Sequence, residues 1–148
     1  MKSIILMSSL LLLNTLVTET QAATCSASLP LGATQVLDPA LTALLQGNTV
    51  CVGNASPWQA QEYHQTPSGG TNNLIDFKHG NLSVNDPTAP VGSWAIDSAN
   101  NTVSYTYHGS SIPYVDTVYK NTDGSYTFCD QSGNTTNASA VLSGQVGC

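Results

Sequence analysis

The sequence predicts an all-β, mainly antiparallel domain: a small meander barrel or strongly curved sheet of about eight strands, with one short N-terminal helix and disulfide staples. Three observations carry that expectation. After Gly47 the apolar residues recur at every second position, the period of a strand. Turn-forming clusters punctuate those runs at short intervals, as in all-β folds. Four cysteines follow a leader-like N-terminus, so they mature where thiols can pair.

The leader comes first. Lys2 precedes an apolar run from Ile4 to Leu13, and a more polar stretch ends in Thr20-Gln21-Ala22, with small residues at the −3 and −1 positions of a cut near Ala22. The run is too short for a membrane span. Residues 1–22 therefore read as a signal peptide and 23–148 as a single β-rich secreted domain, periplasmic or extracellular. Cys25 lacks the upstream leucine and small preceding residue of a lipidation site, so no lipid anchor is expected.

The helix is next. Asp38-Pro39 offers a cap and a first-turn proline, Gly47 offers a stop, and Leu37, Leu41, Leu44 and Leu45 fall on one face between them. Eight strand segments follow, around Thr49–Val52, Trp58–Gln65, Leu74–His79, Gly92–Asp97, Thr102–His108, Tyr114–Lys120, Ser125–Asp130 and Ala138–Val146. Alternation is clearest where Val103, Tyr105 and Tyr107 oppose Ser104, Thr106 and His108. Pro67-Ser68-Gly69-Gly70, Ala99-Asn100-Asn101, Thr122-Asp123-Gly124 and Ser132-Gly133-Asn134 supply the turns. Asn81 to Val91 carries two prolines that forbid regular pairing, and reads as a longer connection suited to one mouth of a barrel.

Cys25, Cys51, Cys129 and Cys148 allow three connectivities. Cys51 and Cys129 each sit inside a strand while Cys25 and Cys148 lie near the two mature ends, an arrangement that favours Cys51–Cys129 and Cys25–Cys148. No C-x-x-C is present, so structural bridges are expected rather than a redox pair or a metal site.

Charge excludes some partners. Beyond the leader the chain has two lysines, Lys78 and Lys120, and no arginine, against eight carboxylates, and the formal net charge is −6. Phosphate backbones and anionic membranes are bound by Lys and Arg clusters, so neither nucleic acid nor a membrane surface is an expected partner. A small ligand or a basic protein remains.

The chemistry-bearing candidates cluster in one stretch. On a strand, Trp58, Ala60, Glu62 and His64 share a face, and neither face is apolar throughout, as a barrel wall around a polar pocket requires. Trp58, Glu62, His64 and Trp94 are the candidate ligand-binding residues. Glu62, His64 and Asp76 are the candidate acid–base group, should there be catalysis. Gly92-Ser93-Trp94 resembles the G-x-W at the first strand of lipocalin-like and avidin-like barrels; the resemblance covers three residues lying mid-chain, and implies only that Trp94 is a core or barrel-floor aromatic. The six tyrosines at strand spacing read as core-facing or cross-strand residues, with an aromatic binding platform as the alternative. Sequons stand at Asn54, Asn81, Asn100, Asn134 and Asn137.

No H-E-x-x-H, G-x-S-x-G, phosphate-binding glycine loop or calcium loop occurs, and neither a metal nor a cofactor is expected. The sequence therefore reads as a small exported, disulfide-stabilised, barrel-like binding protein, non-catalytic, either a small-ligand carrier or an inhibitor of a protein partner. The alternatives are a small exported hydrolase using the Glu/His/Asp group, and a structural envelope or surface protein.

Overall fold

The computed structural model describes Cys25 and residues 28–53, 58–67, 72–76 and 88–148. Within them lie β1 (Thr34–Gln35), α1 (Ala40–Leu45), β2 (Asn48–Val52), β3 (Ala60–His64), β4 (Asn73–Asp76) and β5 (Ala89–Asp97), then β6 (Thr102–Tyr107), β7 (Tyr114–Lys120), β8 (Tyr126–Asp130) and β9 (Thr135–Ser143). Strands β2 to β9 pair in chain order, each antiparallel to the next, and β9 returns to β2. The result is a closed eight-stranded meander barrel, which leaves no long unpaired edge among those eight strands. The ninth strand, β1, is too short to read from sequence and runs beside the end of β7, with Thr34 opposite Lys120.

The helix plugs one end. The Asp38 carboxylate accepts hydrogen bonds from the Thr42 amide (3.3 Å) and hydroxyl (2.5 Å), fixing the first turn. Leu41 and Leu45 are fully buried and join Leu74, Trp94, Val103 and Val118 in the core. Leu44 packs at the edge of that cluster, whereas Leu37, assigned to the same stripe from its spacing, is half exposed because it precedes the first turn. Gly47 ends the helix at φ +75°, a conformation that suits glycine. At this end the chain also joins the β5–β6 turn, where the Asp38 amide donates to the Asn101 side chain at 2.9 Å.

Two expectations change along the wall. The Leu74–His79 strand is observed over Asn73–Asp76; its remainder lies outside the described residues, as does most of the Asn81–Val91 connection. The described end of that connection is strand rather than loop, since β5 begins at Ala89 and includes Pro90. Pro90 is tolerated because the β4–β5 register shifts between Leu74 and Ile75, interrupting the ladder where its amide would have donated. Two residues on, β5 and β6 approach so closely that a Cβ at Gly92 would collide with the Thr106 carbonyl oxygen. The last strand starts three residues earlier than its apolar pattern suggests, at Thr135, because the Asp130–Asn134 turn closes the hairpin tightly.

The disulfides are Cys25–Cys129 and Cys51–Cys148, correcting the pairing that position along the chain favoured. The reason is the order of strands: β9 lies between β2 and β8, so Cys51 and Cys129 are two strand spacings apart. That is roughly 10 Å, beyond the ~7 Å limit for bridged Cα atoms. Each cysteine instead points outward and fastens a tail to the outer wall. The C-terminal tail crosses β2 and β3, where Thr49 donates to the Gly144 carbonyl (2.8 Å) and the Cys148 amide donates to Gln61 Oε1 (2.6 Å). Thr49 and Cys51 lie under the C-terminal tail, Cys129 under Cys25, and Thr127 between the Asn121 and Asn137 side chains, so all four are buried although they face away from the core. Disulfides of this kind fit an oxidising, exported environment. Among the described residues no helix is long and apolar enough to cross a membrane.

Candidate ligand cavity

Closing one barrel end with leucines leaves the other to the loops, and a cavity of about 310 Å3 opens there. Val50, Tyr105 and Phe128, each almost fully buried, form its floor. Val52, Ala60, Glu62, Tyr107 and Asp116 form the walls. Tyr114, Asp130, Asn134 and Thr136 stand at the rim, with Tyr114 58 % exposed. Strand alternation explains this membership. On β6, Tyr105 and Tyr107 continue the inward face begun by Val103, and on β7, Tyr114 and Asp116 continue inward from Val118.

The acidic residues fall in two places. Glu62 sits directly opposite Val50 on β2 and Asp76 on β4. Its Oε1 accepts a hydrogen bond from the Tyr107 hydroxyl at 2.9 Å. Burial, and then the negative Glu62, push the Tyr107 phenol well above its usual range, so it stays a donor at any physiological pH. Across the cavity, Asp116 pairs directly with Asp130. Asp130 is held as an anion by the turn that follows it: Oδ1 accepts from the Ser132 and Asn134 amides and Oδ2 from the Asn134 side chain, all at 2.8 Å. These bonds, Asn134's side chain foremost, lower its pKa. Asp116 lacks that support; burial, and then the charge on Asp130, raise its carboxyl from 3.8 to about 6. Two facing carboxyls thus differ because one is dressed by a turn and the other is half-buried.

His64 lies below the floor, fully buried. Nδ1 is 3.2 Å from the Glu62 backbone carbonyl, which can only accept, so Nδ1 carries the proton. Nε2 then accepts from the Tyr105 hydroxyl at 3.0 Å. Burial pulls the ring's pKa from 6.5 to about 4, keeping it neutral at pH 7. Trp94 packs edge-on against the same ring, with centroids 5.2 Å apart, and its indole N–H donates to the Gln65 carbonyl at 3.3 Å. His64, Tyr105 and Trp94 form a rigid base under the cavity.

Of the residues singled out from sequence, Glu62 lines the cavity and Asp76 faces inward beside it. His64 and Trp94 belong to the layer beneath, and half-buried Trp58 precedes β3 outside the lining. The His64 ring meets the Glu62 backbone and the Tyr105 hydroxyl rather than a carboxylate. Among the described residues no group of three or more His, Cys, Asp or Glu side chains could hold a metal ion. Tyr107 and Tyr114 were marked only through the aromatic platform that the tyrosines offered as an alternative, and Asp116 and Asp130 were not singled out as a site. The available signal was an aspartate two residues from a tyrosine on one strand face, and both faces of β7 are mixed in polarity. The chain matches no protein-family profile, no curated protein and no solved structure, so the geometry of the cavity alone bears on its function.

Proposed function

We propose that the protein is a small exported binding protein that holds a small organic molecule in the barrel and releases it unchanged. On this reading residues 1–22 are a leader removed near Ala22, and residues 23–148 act as one secreted domain. The observation that carries the reading is the cavity itself: about 310 Å3, on an apolar floor, with a few converging polar groups at its walls. Sites for small molecules have this volume and this mixture. Binding is favoured over catalysis because His64, the one buried histidine among the described residues, is neutral and already engaged at both nitrogens.

The test is a fragment screen by amide NMR on the oxidised protein. Binding fragments should perturb Tyr107, Tyr114, Asp116 and Phe128 together. If no fragment moves those amides, or if all perturbations fall on the outer wall, the reading is wrong and a protein partner becomes the better candidate.

A further inference from the structure

We propose that the cavity selects an organic cation, a protonated amine or quaternary ammonium carried on a flat apolar body. This rests on the reading of the cavity as a ligand site and adds the chemical class of the ligand. Three features of the lining converge on it. Glu62, Asp116 and Asp130 contribute carboxyl groups from three strands, and among the described lining residues there is no lysine, arginine or histidine. The described lysine, Lys120, lies four residues beyond Asp116 towards the helix-plugged end, roughly 13 Å along β7.

The aromatic rings are the second feature. Tyr107 and Tyr114 meet at 75° with centroids 5.8 Å apart, making a corner, and Tyr105 stacks behind Tyr107 at 26°. Perpendicular rings beside a carboxylate are the arrangement that attracts an ammonium group through ring faces and charge together. The third feature is the floor. Val50 and Phe128 offer apolar contact but no donor to a ligand anion, so the end of the ligand that reaches them has to be hydrocarbon. An anion would meet like charge on two walls. A neutral molecule would leave the Asp116 carboxylate desolvated with nothing gained, whereas a cation compensates it. The net charge of −6 also draws cations in from a distance.

Three probes of one shape separate the possibilities: tryptamine, 3-ethylindole and indole-3-propionate, measured by calorimetry on the oxidised protein at pH 7.5. Tryptamine should bind at least tenfold more tightly than 3-ethylindole, with indole-3-propionate weakest. The Asp116→Asn variant should bring tryptamine down to the level of 3-ethylindole and leave 3-ethylindole unchanged. Glu62→Gln should reduce the same preference in part, and serves if Asp116→Asn alters the fold. Equal binding of tryptamine and 3-ethylindole, or preference for the propionate, would overturn the cation inference while leaving the cavity as a ligand site. Failure of all three probes, together with a silent fragment screen, would remove both.

Discussion

His64 is buried and Asp116 half-buried, their shifts run in opposite directions, and their effects on stability should nearly cancel. The fold holds His64 at about 4, below its usual 6.5, so its contribution is present above pH 6.5 and is lost as pH falls towards 4. That loss is on the order of 3 kcal/mol for a ring this deeply buried. Asp116 is held at about 6, above 3.8, so its contribution is full below 3.8 and is lost as pH rises through 6. Both windows span roughly pH 4 to 6, with opposite slopes. The groups facing Asp116 are Asp130 on β8, Tyr105 and Tyr107 on β6 and Glu62 across the cavity, none of them a cation. We expect the melting temperature of the native protein to be almost flat between pH 6 and 4. In Asp116→Asn it should be higher than native at pH 7 and should fall steadily on acidification. A native protein that already loses stability through that window would mean Asp116 is not held protonated there. This pair was only half legible in the sequence: His64 stood out as a titratable side chain, but nothing in Tyr114-Val115-Asp116-Thr117 marks which face is buried.

At the scale of elements, strand periods were readable wherever one face meets the core and the other meets water. Strand β6 shows it best, with Val103 and Tyr105 buried and Ser104 and Thr106 on the opposite side. Strands β2 and β8 obscure it, because the stapled tails and the Asn121 and Asn137 side chains bury the outer face as well and the polar residues there are not exposed. Proline misled at β5, where a register shift admits Pro90 to the ladder. Two substitutions test what these elements contribute. Leu45→Ala empties the plug at the closed end and should cost about 2–5 kcal/mol in urea unfolding. Because Leu45 is remote from the rim, ligand affinity in the folded variant should be unchanged. Gly92→Ala forces β5 away from the Thr106 carbonyl, and should destabilise the fold and disturb Tyr107, its partner across the strands. Equal stability of Gly92→Ala and the native protein would show that the two strands separate without cost.

For the whole molecule, the barrel is closed by strand pairing alone, and the disulfides act on what lies outside it. Cys25–Cys129 and Cys51–Cys148 span 104 and 97 residues of chain, so each restricts the unfolded state over most of the domain. Paired replacement of Cys51 and Cys148 by serine should cost about 2–4 kcal/mol of stability. Amide exchange should quicken at Gln61 and along residues 144–148, whose contacts hold the tail, while the cavity amides on β6 and β7 stay protected. Uniform loss of protection would instead show that the bridge holds the barrel together. The β period and closely spaced turns suggested a barrel, but closure was not legible, since it depends on β9 meeting β2 at a separation of 95 residues between the paired Asn48 and Ser143 and no local pattern announces it.

The helix that stoppers one end makes the barrel a cup rather than a tube. On the reading proposed above, a guest has one doorway among the described residues, bordered by Tyr114, Asp130 and Asn134, through which it both arrives and departs. Cargo cannot be handed through from one side to the other, nor can an arriving molecule push its predecessor out of the back. Exchange must wait for the occupant to leave, so delivery to any recipient depends on approaching that same doorway or on a fall in the surrounding supply.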